Sequence, residues 1–189
     1  MVDRAEQMTL DDNLEVDSKA TAKNVRNFLT FKFEHFQNYA GLNVSDLSVV
    51  DDSHLSSPKM DASGVSLHGG INHTESSFNR IMEAEQACKA IFKTIKNCRN
   101  GGRTPYQKIL SEAYLHNMED YKIQQELGYE DSQYYIKKRQ ALCEFADRFE
   151  KWKDWYSISY FDDLHVYRKK KRSLNGLLSE YKRSEMAIL

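Results

Sequence analysis

The chain contains little proline, glycine or cysteine, and it has no long apolar run. Its 189 residues include 2 Pro and 8 Gly, a composition that favours helices. The 3 cysteines show no CxxC spacing, so we expect reduced thiols in a cytoplasmic protein rather than a secreted disulfide scaffold. No segment approaches the ~20 apolar residues of a membrane helix. The acidic N-terminus lacks the apolar region of a signal peptide, so we expect no secretion and no membrane partner.

Charge of one sign is also lacking overall, because the formal net charge is −1. The charges are nevertheless unevenly distributed. Residues 1–60 contain 6 Lys and Arg against 10 Asp and Glu, whereas residues 103–189 contain 16 against 14. Two basic clusters stand out, at residues 137–139 and 168–172. A solvated helix face would contain the same residues, so the position of each cluster in the fold has to decide what it does.

The first 102 residues are predicted to form a helical region that serves packing or dimerisation. Five apolar residues share one helix face over residues 21–40: Val25, Phe28, Leu29, Phe33 and Phe36. Gly41 is a plausible end of this helix. Helical spacing of apolar residues returns from about residue 75 to Cys98. Between these helices, residues 43–74 are rich in Ser, Gly and Asp and predict a long flexible connector.

Residues 103–153 are predicted to form a helix-turn-helix. Thr104, Pro105 and Gln107 have the spacing of a capping box with proline at the first helical position. A short helix is expected over about 119–127, Gly128 would end it, and a longer helix would run from about 131 to 152. The predicted fold class is therefore all-α. In it, N-terminal helices are joined by a long loop to a C-terminal helix-turn-helix, although many small helical bundles share this pattern.

The remaining residues, 154–189, are predicted to be a basic and amphipathic extension. The stretch from Ser157 to Tyr167 is compatible with a short strand, an extended arm or a frayed helix. Leu174, Leu177, Leu178 and Tyr181 have the spacing of a final amphipathic helix. The basic run at 168–172 would either contact backbone phosphates or remain solvated.

The last helix of the predicted helix-turn-helix has two distinct faces. Its expected core face comprises Tyr134, Ala141, Leu142, Phe145 and Phe149. Gln pairs with adenine, and Arg or Lys with guanine. We therefore predict the following residues on the DNA side: Ser132, Gln133, Ile136, Lys137, Arg139 and Gln140. Lys138, which must extend out of the apolar face, and Lys122 are predicted to contact phosphates. The alternative is an ordinary bundle helix with a polar outer face.

Several segments together resemble the ArpU/RinA-type phage transcriptional regulators. They are Tyr106–Tyr114, Gly128–Tyr129, Ser132–Tyr135 and Lys138–Ala146, with weaker similarity at Thr21–Leu29 and Ser57–Asp61. The resemblance covers roughly residues 17–150 and implies a sigma-factor-like helix-turn-helix in the C-terminal half. It also implies a DNA-binding activator of late phage or prophage genes in the bacterial cytoplasm, with double-stranded promoter DNA and host RNA polymerase as partners.

The absence of catalytic and metal-binding motifs argues against an enzyme. The sequence contains no P-loop, no GxGxxG and no HExxH motif. His68-Gly69-Gly70 is not accompanied by a GxSxG nucleophile. His68 and His73 have no further Cys or carboxylate at ligand spacing. We therefore predict no catalytic residues, no metal and no cofactor.

The sequence-based prediction is a sequence-specific, double-stranded DNA-binding transcription regulator. A homodimer is expected because residues 25–36 offer more apolar surface than one short helix normally needs. One alternative is a phage DNA-packaging protein similar to a terminase small subunit. Another is a helical RNA polymerase-binding module without DNA readout. Salt-dependent binding to duplex DNA separates this last class from the other two.

Overall fold

A computed structural model describes residues 14–49, 71–158 and 161–169, and within these ranges the chain is mostly helical. The α-helices are α1 (Ser18–Asn27), α2 (Phe33–Ala40), α3 (Val44–Val49), α4 (Ile71–Asn97), α5 (Tyr106–Leu110), α6 (Asp120–Leu127) and α7 (Asp131–Trp155). Two π-helical segments, Phe28–Lys32 and Ser111–Leu115, continue α1 and α5. Short antiparallel pairs join β1 (Leu14–Val16) to β4 (Tyr167–Lys169) and β2 (Asn100–Gly101) to β3 (Thr104–Pro105).

The helix predicted over residues 21–40 is confirmed, and it begins three residues earlier. The carboxylate of Asp17 accepts hydrogen bonds of 3.0 Å from the backbone N–H groups of Lys19 and Ala20, which caps α1. Gly41 ends α2 in the left-handed conformation, with a φ of 66°, where a side chain would be strained. The local signals at both ends of this helix therefore agree with its apolar spacing.

The predicted connector over residues 43–74 needs correction at both ends. Residues 44–49 form α3, whose start is held by a 2.8 Å hydrogen bond from the Asn43 backbone N–H to the Asp46 carboxylate. Leu47 is buried and Val44 packs partly against the same core, so apolar contacts anchor this short helix. The helix predicted from about residue 75 already begins at Ile71. The intervening part of the predicted connector lies outside the described residues.

The predicted capping box at Thr104 is wrong. Asn100 pairs with Pro105, and Gly101 pairs with Thr104, so Thr104 belongs to a tight hairpin and does not cap a helix. Pro105 precedes the first residue of α5, and no side chain caps that end. The Gln107 backbone N–H, which the capping box was expected to satisfy, donates instead to the Arg99 carbonyl at 2.9 Å.

A single apolar core joins the helices of the two predicted regions. Helix α7 packs against α1, α4 and α5. The rings of Phe145 and Phe149 stack with centroids 5.4 Å apart, and Phe28 lies 5.3 Å from Phe149. Residues 1–102 and 103–153 therefore share their interior, and α7 belongs to both the core and the predicted helix-turn-helix.

The aromatic face that motivated a homodimer is covered within the chain. Val25, Phe28, Leu29 and Phe33 are buried, and Phe36 packs partly against the same core. In the part of this helix that the structure describes, Phe31 is the phenylalanine that stays largely exposed, at 68 %. The apolar surface expected to need a second subunit is thus used in the packing of α1 and α2 against α4 and α7.

The segment from residue 161 to 169 crosses α1 as an extended arm and ends in β4. Its backbone is tied to α1 because Asn24 donates to the Leu164 carbonyl at 3.0 Å, and the Val166 N–H donates to the Thr21 hydroxyl at 3.0 Å. Of the three conformations predicted for Ser157–Tyr167, the described residues 161–166 form the extended arm, and β4 begins at the last residue, Tyr167. The amphipathic helix predicted near residues 174–181 lies outside the described residues.

The arm carries a histidine held between two carboxylates. The ring of His165 lies 2.6 Å from Asp163 and 2.9 Å from Asp147 of α7. Burial disfavours the charged ring, but these two hydrogen bonds outweigh it and raise the pKa of His165 above its ordinary value of 6.5. Protonated His165 therefore fastens the arm to α7.

Candidate nucleic-acid interface

Three helices around a small apolar cluster position the outer face of α7. Ile109, Ile123 and Tyr134 come from α5, α6 and α7 respectively, and all three are fully buried. Gly128 ends α6 with a φ of 66°, and α7 begins at Asp131. This tight turn fixes the angle at which α7 leaves the cluster, so one side of α7 is packed and the other faces solvent.

The face of α7 opposite the core is polar and exposed. The prediction of which face of α7 is buried is confirmed. All five expected core residues are buried: Tyr134, Ala141, Leu142, Phe145 and Phe149. Ser132, Gln133, Ile136, Arg139 and Gln140 are exposed, and Lys137 is half-buried. The structure thus brings the predicted base-side residues onto one face. Two large apolar side chains are also exposed here: Tyr135 at 57 % and Ile136 at 45 %.

The hairpin of β2 and β3 borders one edge of this face. The ammonium of Lys137 donates to the Arg103 carbonyl at 2.8 Å, and the Tyr106 hydroxyl donates to the Gln140 side-chain oxygen at 3.0 Å. Gln140 needs both its oxygen and its amide nitrogen to pair with adenine. Its oxygen is already engaged inside the protein, so Gln133 and Arg139 are better suited to base contacts.

The prediction for Lys138 needs correction. Its ammonium does not extend to solvent but pairs with both carboxylate oxygens of Asp120, at 2.6 and 2.8 Å, and the side chain is only 13 % exposed. The Tyr134 hydroxyl donates to the same carboxylate at 2.8 Å. Asp120 opens α6, so these bonds tie the start of α6 to α7. Lys138 therefore holds the two helices together and is not available to a phosphate.

Lys122, the other predicted phosphate contact, lies on the exposed side of α6. It pairs with Glu119 at 3.1 Å, and both side chains are more than half exposed. This hydrogen bond raises the pKa of Lys122. An exposed ion pair of this kind stabilises the fold very little, so a phosphate oxygen can replace the Glu119 carboxylate at little cost.

A buried carboxylate holds the hairpin to α7. Glu144 is 6 % exposed and accepts bonds from the Arg99 backbone N–H at 2.8 Å, the Arg99 Nε at 2.6 Å and the Arg148 Nε at 2.8 Å. Burial opposes the charged form, but these bonds outweigh it and hold the pKa of Glu144 below its usual range. The hairpin tip, including Arg103, is thereby fixed beside the outer face of α7.

Sequence reasoning missed two groups of cations that border α7. The first is Arg103, which follows Asn-Gly-Gly, a sequence that favours a hairpin turn. On the other edge, Lys19, Lys23 and Arg26 of α1 line a groove together with Arg139. Their spacing of i, i+4 and i+7 places them on one helix face and would have identified them.

Two cysteines, Cys88 and Cys98, lie buried in the interior. Burial raises the pKa of the Cys88 and Cys98 thiols to about 12, so both stay protonated near neutral pH.

Among the described residues, no group of three or more His, Cys, Asp or Glu side chains is arranged to hold a metal ion. None of the helices in the described ranges is long and apolar enough to cross a membrane.

Comparison with known proteins gives no assignment from which to infer the role of this surface. No protein-family model matches the chain, and neither the curated proteins nor the solved structures include a significant match.

Proposed function

We propose that the chain is a sequence-specific, double-stranded DNA-binding transcription regulator in which α7 is the recognition helix of a helix-turn-helix. The observation that carries this proposal is the polar outer face of α7, exposed after a tight turn and fixed by a fully buried opposite face. A major groove admits an α-helix, and Gln and Arg side chains on such a helix can read base edges.

Gln133 and Arg139 are the central base-contacting residues of this proposal. Both are exposed, and neither side chain makes a hydrogen bond with the part of the chain that the structure describes. Lys137 and Arg103 border the same face and can neutralise phosphates, whereas Lys138 is assigned to the packing of α6 on α7. The resemblance to ArpU/RinA-type regulators supports a role as an activator of late phage or prophage genes, acting with host RNA polymerase in a bacterial cytoplasm.

Selection from a pool of random duplexes, followed by fluorescence anisotropy, tests the proposal. The wild-type protein should enrich a defined sequence. Gln133→Ala and Arg139→Ala should each weaken binding to that duplex by about 1–3 kcal/mol, or roughly 5- to 150-fold. Asn38→Ala and Arg80→Ala, at exposed positions on α2 and α4, serve as matched controls and should leave binding unchanged.

A charge-reversal variant gives the result that would overturn the recognition-helix assignment. Lys137→Glu combined with Arg139→Glu places two negative charges on the outer face of α7. If duplex binding by this variant equals that of the wild type, α7 does not face DNA. Circular dichroism of the variant confirms that a loss of binding does not come from unfolding.

A second candidate function is a helical module that binds RNA polymerase without reading DNA. It is favoured by the large exposed side chains of Tyr121, Tyr135 and Ile136, since aromatic residues are enriched where proteins meet. This candidate predicts polymerase binding without salt-dependent binding to duplex DNA. Tyr135→Ser should then weaken the polymerase complex, while the charge-reversal variant should leave it intact.

A further inference from the structure

Helix α1 is basic, although it lies in an acidic part of the sequence. Residues 1–60 carry an excess of Asp and Glu, yet residues 18–32 contain four Lys and Arg and neither Asp nor Glu. Three of these cations, Lys19, Lys23 and Arg26, are exposed on one side of α1. Among the described residues no ion pair engages them.

This arrangement costs helix stability. Lys19 and Lys23 are four residues apart, and like charges at that spacing destabilise a helix by about 0.2–0.5 kcal/mol. Lys19 also lies at the positive end of the helix dipole, which it opposes, whereas the Asp17 cap and Arg26 in the last turn favour the dipole. The repulsion between Lys19 and Lys23 therefore does not stabilise α1, and a negatively charged ligand would relieve it.

The three cations face a concave surface. They line a groove of about 410 Å³ between α1 and α7, whose other wall contains Tyr135, Lys138 and Arg139. The carboxylate in this groove is Asp120, and Lys138 and Tyr134 already engage it. After that pair is cancelled, Lys19, Lys23, Arg26 and Arg139 remain, and a concave site of one charge concentrates its field.

The groove adjoins the proposed recognition face. Arg139 lies on the wall of the groove and is also one of the predicted base-side residues of α7. The rise along α1 from Lys19 to Arg26 is about 10 Å. One DNA strand carries about three phosphates over that axial length, at about 3.4 Å per phosphate.

We propose that Lys19, Lys23 and Arg26, which line this basic groove on the α1 side, bind the sugar–phosphate backbone of duplex DNA beside the segment that α7 reads through Arg139 and its neighbours. The inference rests on the proposed function and adds α1 to the interface. The α1 cations contribute affinity for any sequence, because they contact phosphates, whereas α7 contributes the discrimination between sequences.

The salt dependence of duplex binding tests the groove. The probes are a fluorescent duplex of about 30 base pairs with the selected sequence and a scrambled duplex of equal length, measured between about 50 and 200 mM KCl. The triple variant Lys19→Gln, Lys23→Gln, Arg26→Gln should reduce the slope of log K against log salt by about 2–3 for both duplexes, at about 0.9 per lost phosphate contact. Binding near 0.1 M salt should weaken about 10- to 100-fold.

Two further variants make the result specific. Lys32→Gln, Lys96→Gln, Lys151→Gln removes the same charge from exposed positions elsewhere and should leave the slope nearly unchanged. Lys19→Arg, Lys23→Arg, Arg26→Lys keeps the groove positive and should retain the wild-type slope. Thermal unfolding of each variant verifies the fold.

The outcomes separate the two proposals. If the wild type binds the duplexes and the groove variant keeps the slope of its control, the groove proposal is overturned and the role of α7 stands. If the groove variant loses affinity for both duplexes equally while Gln133→Ala loses it for the selected sequence, both proposals are supported. If the wild type shows no salt-dependent duplex binding, both proposals fail.

Discussion

Replacing Glu144 with Gln tests whether one buried carboxylate holds the β2–β3 hairpin against α7. Glu144 accepts three hydrogen bonds, two from Arg99 and one from Arg148, at 2.6–2.8 Å. Hydrogen bonds to charged groups are worth about 1.5–3 kcal/mol each. The side chains of Arg99 and Arg148 are 60 % and 39 % exposed, so water replaces part of what they lose.

The expected cost is therefore smaller than the sum of three such bonds. The glutamine oxygen can still accept from the Arg99 backbone N–H, but its amide group opposes a guanidinium donor. We expect Glu144→Gln to lower the free energy of unfolding by about 2–3 kcal/mol. In a chain of this size each kcal/mol corresponds to about 2–4 °C in Tm. Urea denaturation followed by circular dichroism measures the loss.

The matched control is Glu126→Gln. Glu126 pairs with Lys108 at 3.1 Å, but its side chain is 46 % exposed, so its removal should cost no more than about 0.5 kcal/mol. The pKa of Glu144 is lowered by folding, so its contribution is present above the ordinary value of 4.5 and is lost as the pH falls through the lower folded value. If the two variants have equal stability at neutral pH, the carboxylate does not fasten the hairpin.

Three other predictions concern the arm, the turn and the tie between α6 and α7. The folded pKa of His165 is raised, so its contribution is complete below about 6.5 and is lost as the pH rises through the folded value. Titrating the unfolding free energy should therefore show a decline that His165→Gln abolishes. Gly128→Ala should cost about 1–2 kcal/mol through its positive φ alone, because nothing lies within 4 Å of the added Cβ; an unchanged Tm would contradict this. Lys138→Gln should destabilise the fold, since it leaves Asp120 without its cation, and should leave the salt slope of duplex binding unchanged.

Local sequence signals predicted the long helices and the orientation of α7 well. The apolar spacing of α7 follows from burial on one side, and Tyr134, Ala141 and Phe145 are all buried as expected. The end of α6 has a left-handed backbone at Gly128, a conformation that glycine adopts at little cost, so the sequence also predicted this helix end. These features depend on residues that are near one another in the sequence.

Pairings that helical periodicity does not reveal, most of them between distant residues, explain what sequence reasoning missed. The capping box at Thr104 was a valid local pattern, but pairing with Gly101 uses the same backbone. Glu144 meets Arg99 across 45 positions, and no helical periodicity indicates that pair. The strand β1 pairs with β4, which follows it by about 150 residues, so neither strand has a local partner to reveal it.

The position of Lys138 shows why a charge cluster cannot be interpreted from spacing alone. Lys137, Lys138 and Arg139 are consecutive, yet folding gives them three different surroundings. One ammonium donates to a hairpin carbonyl, the next pairs with Asp120, and the guanidinium of Arg139 lines the α1 groove. Part of the basic cluster therefore makes contacts within the protein, and only the remainder is available to a ligand.

The same sorting of charges removes the conflict between a net charge of −1 and a DNA-binding surface. A ligand at the groove responds mainly to charges within about 10 Å, because salt at 0.1 M screens more distant ones. Lys19, Lys23 and Arg26 lie within that part of the surface, and the nearby Asp120 is neutralised by Lys138. Total charge therefore says little about binding at this site. The number of phosphates that these cations contact determines its salt dependence.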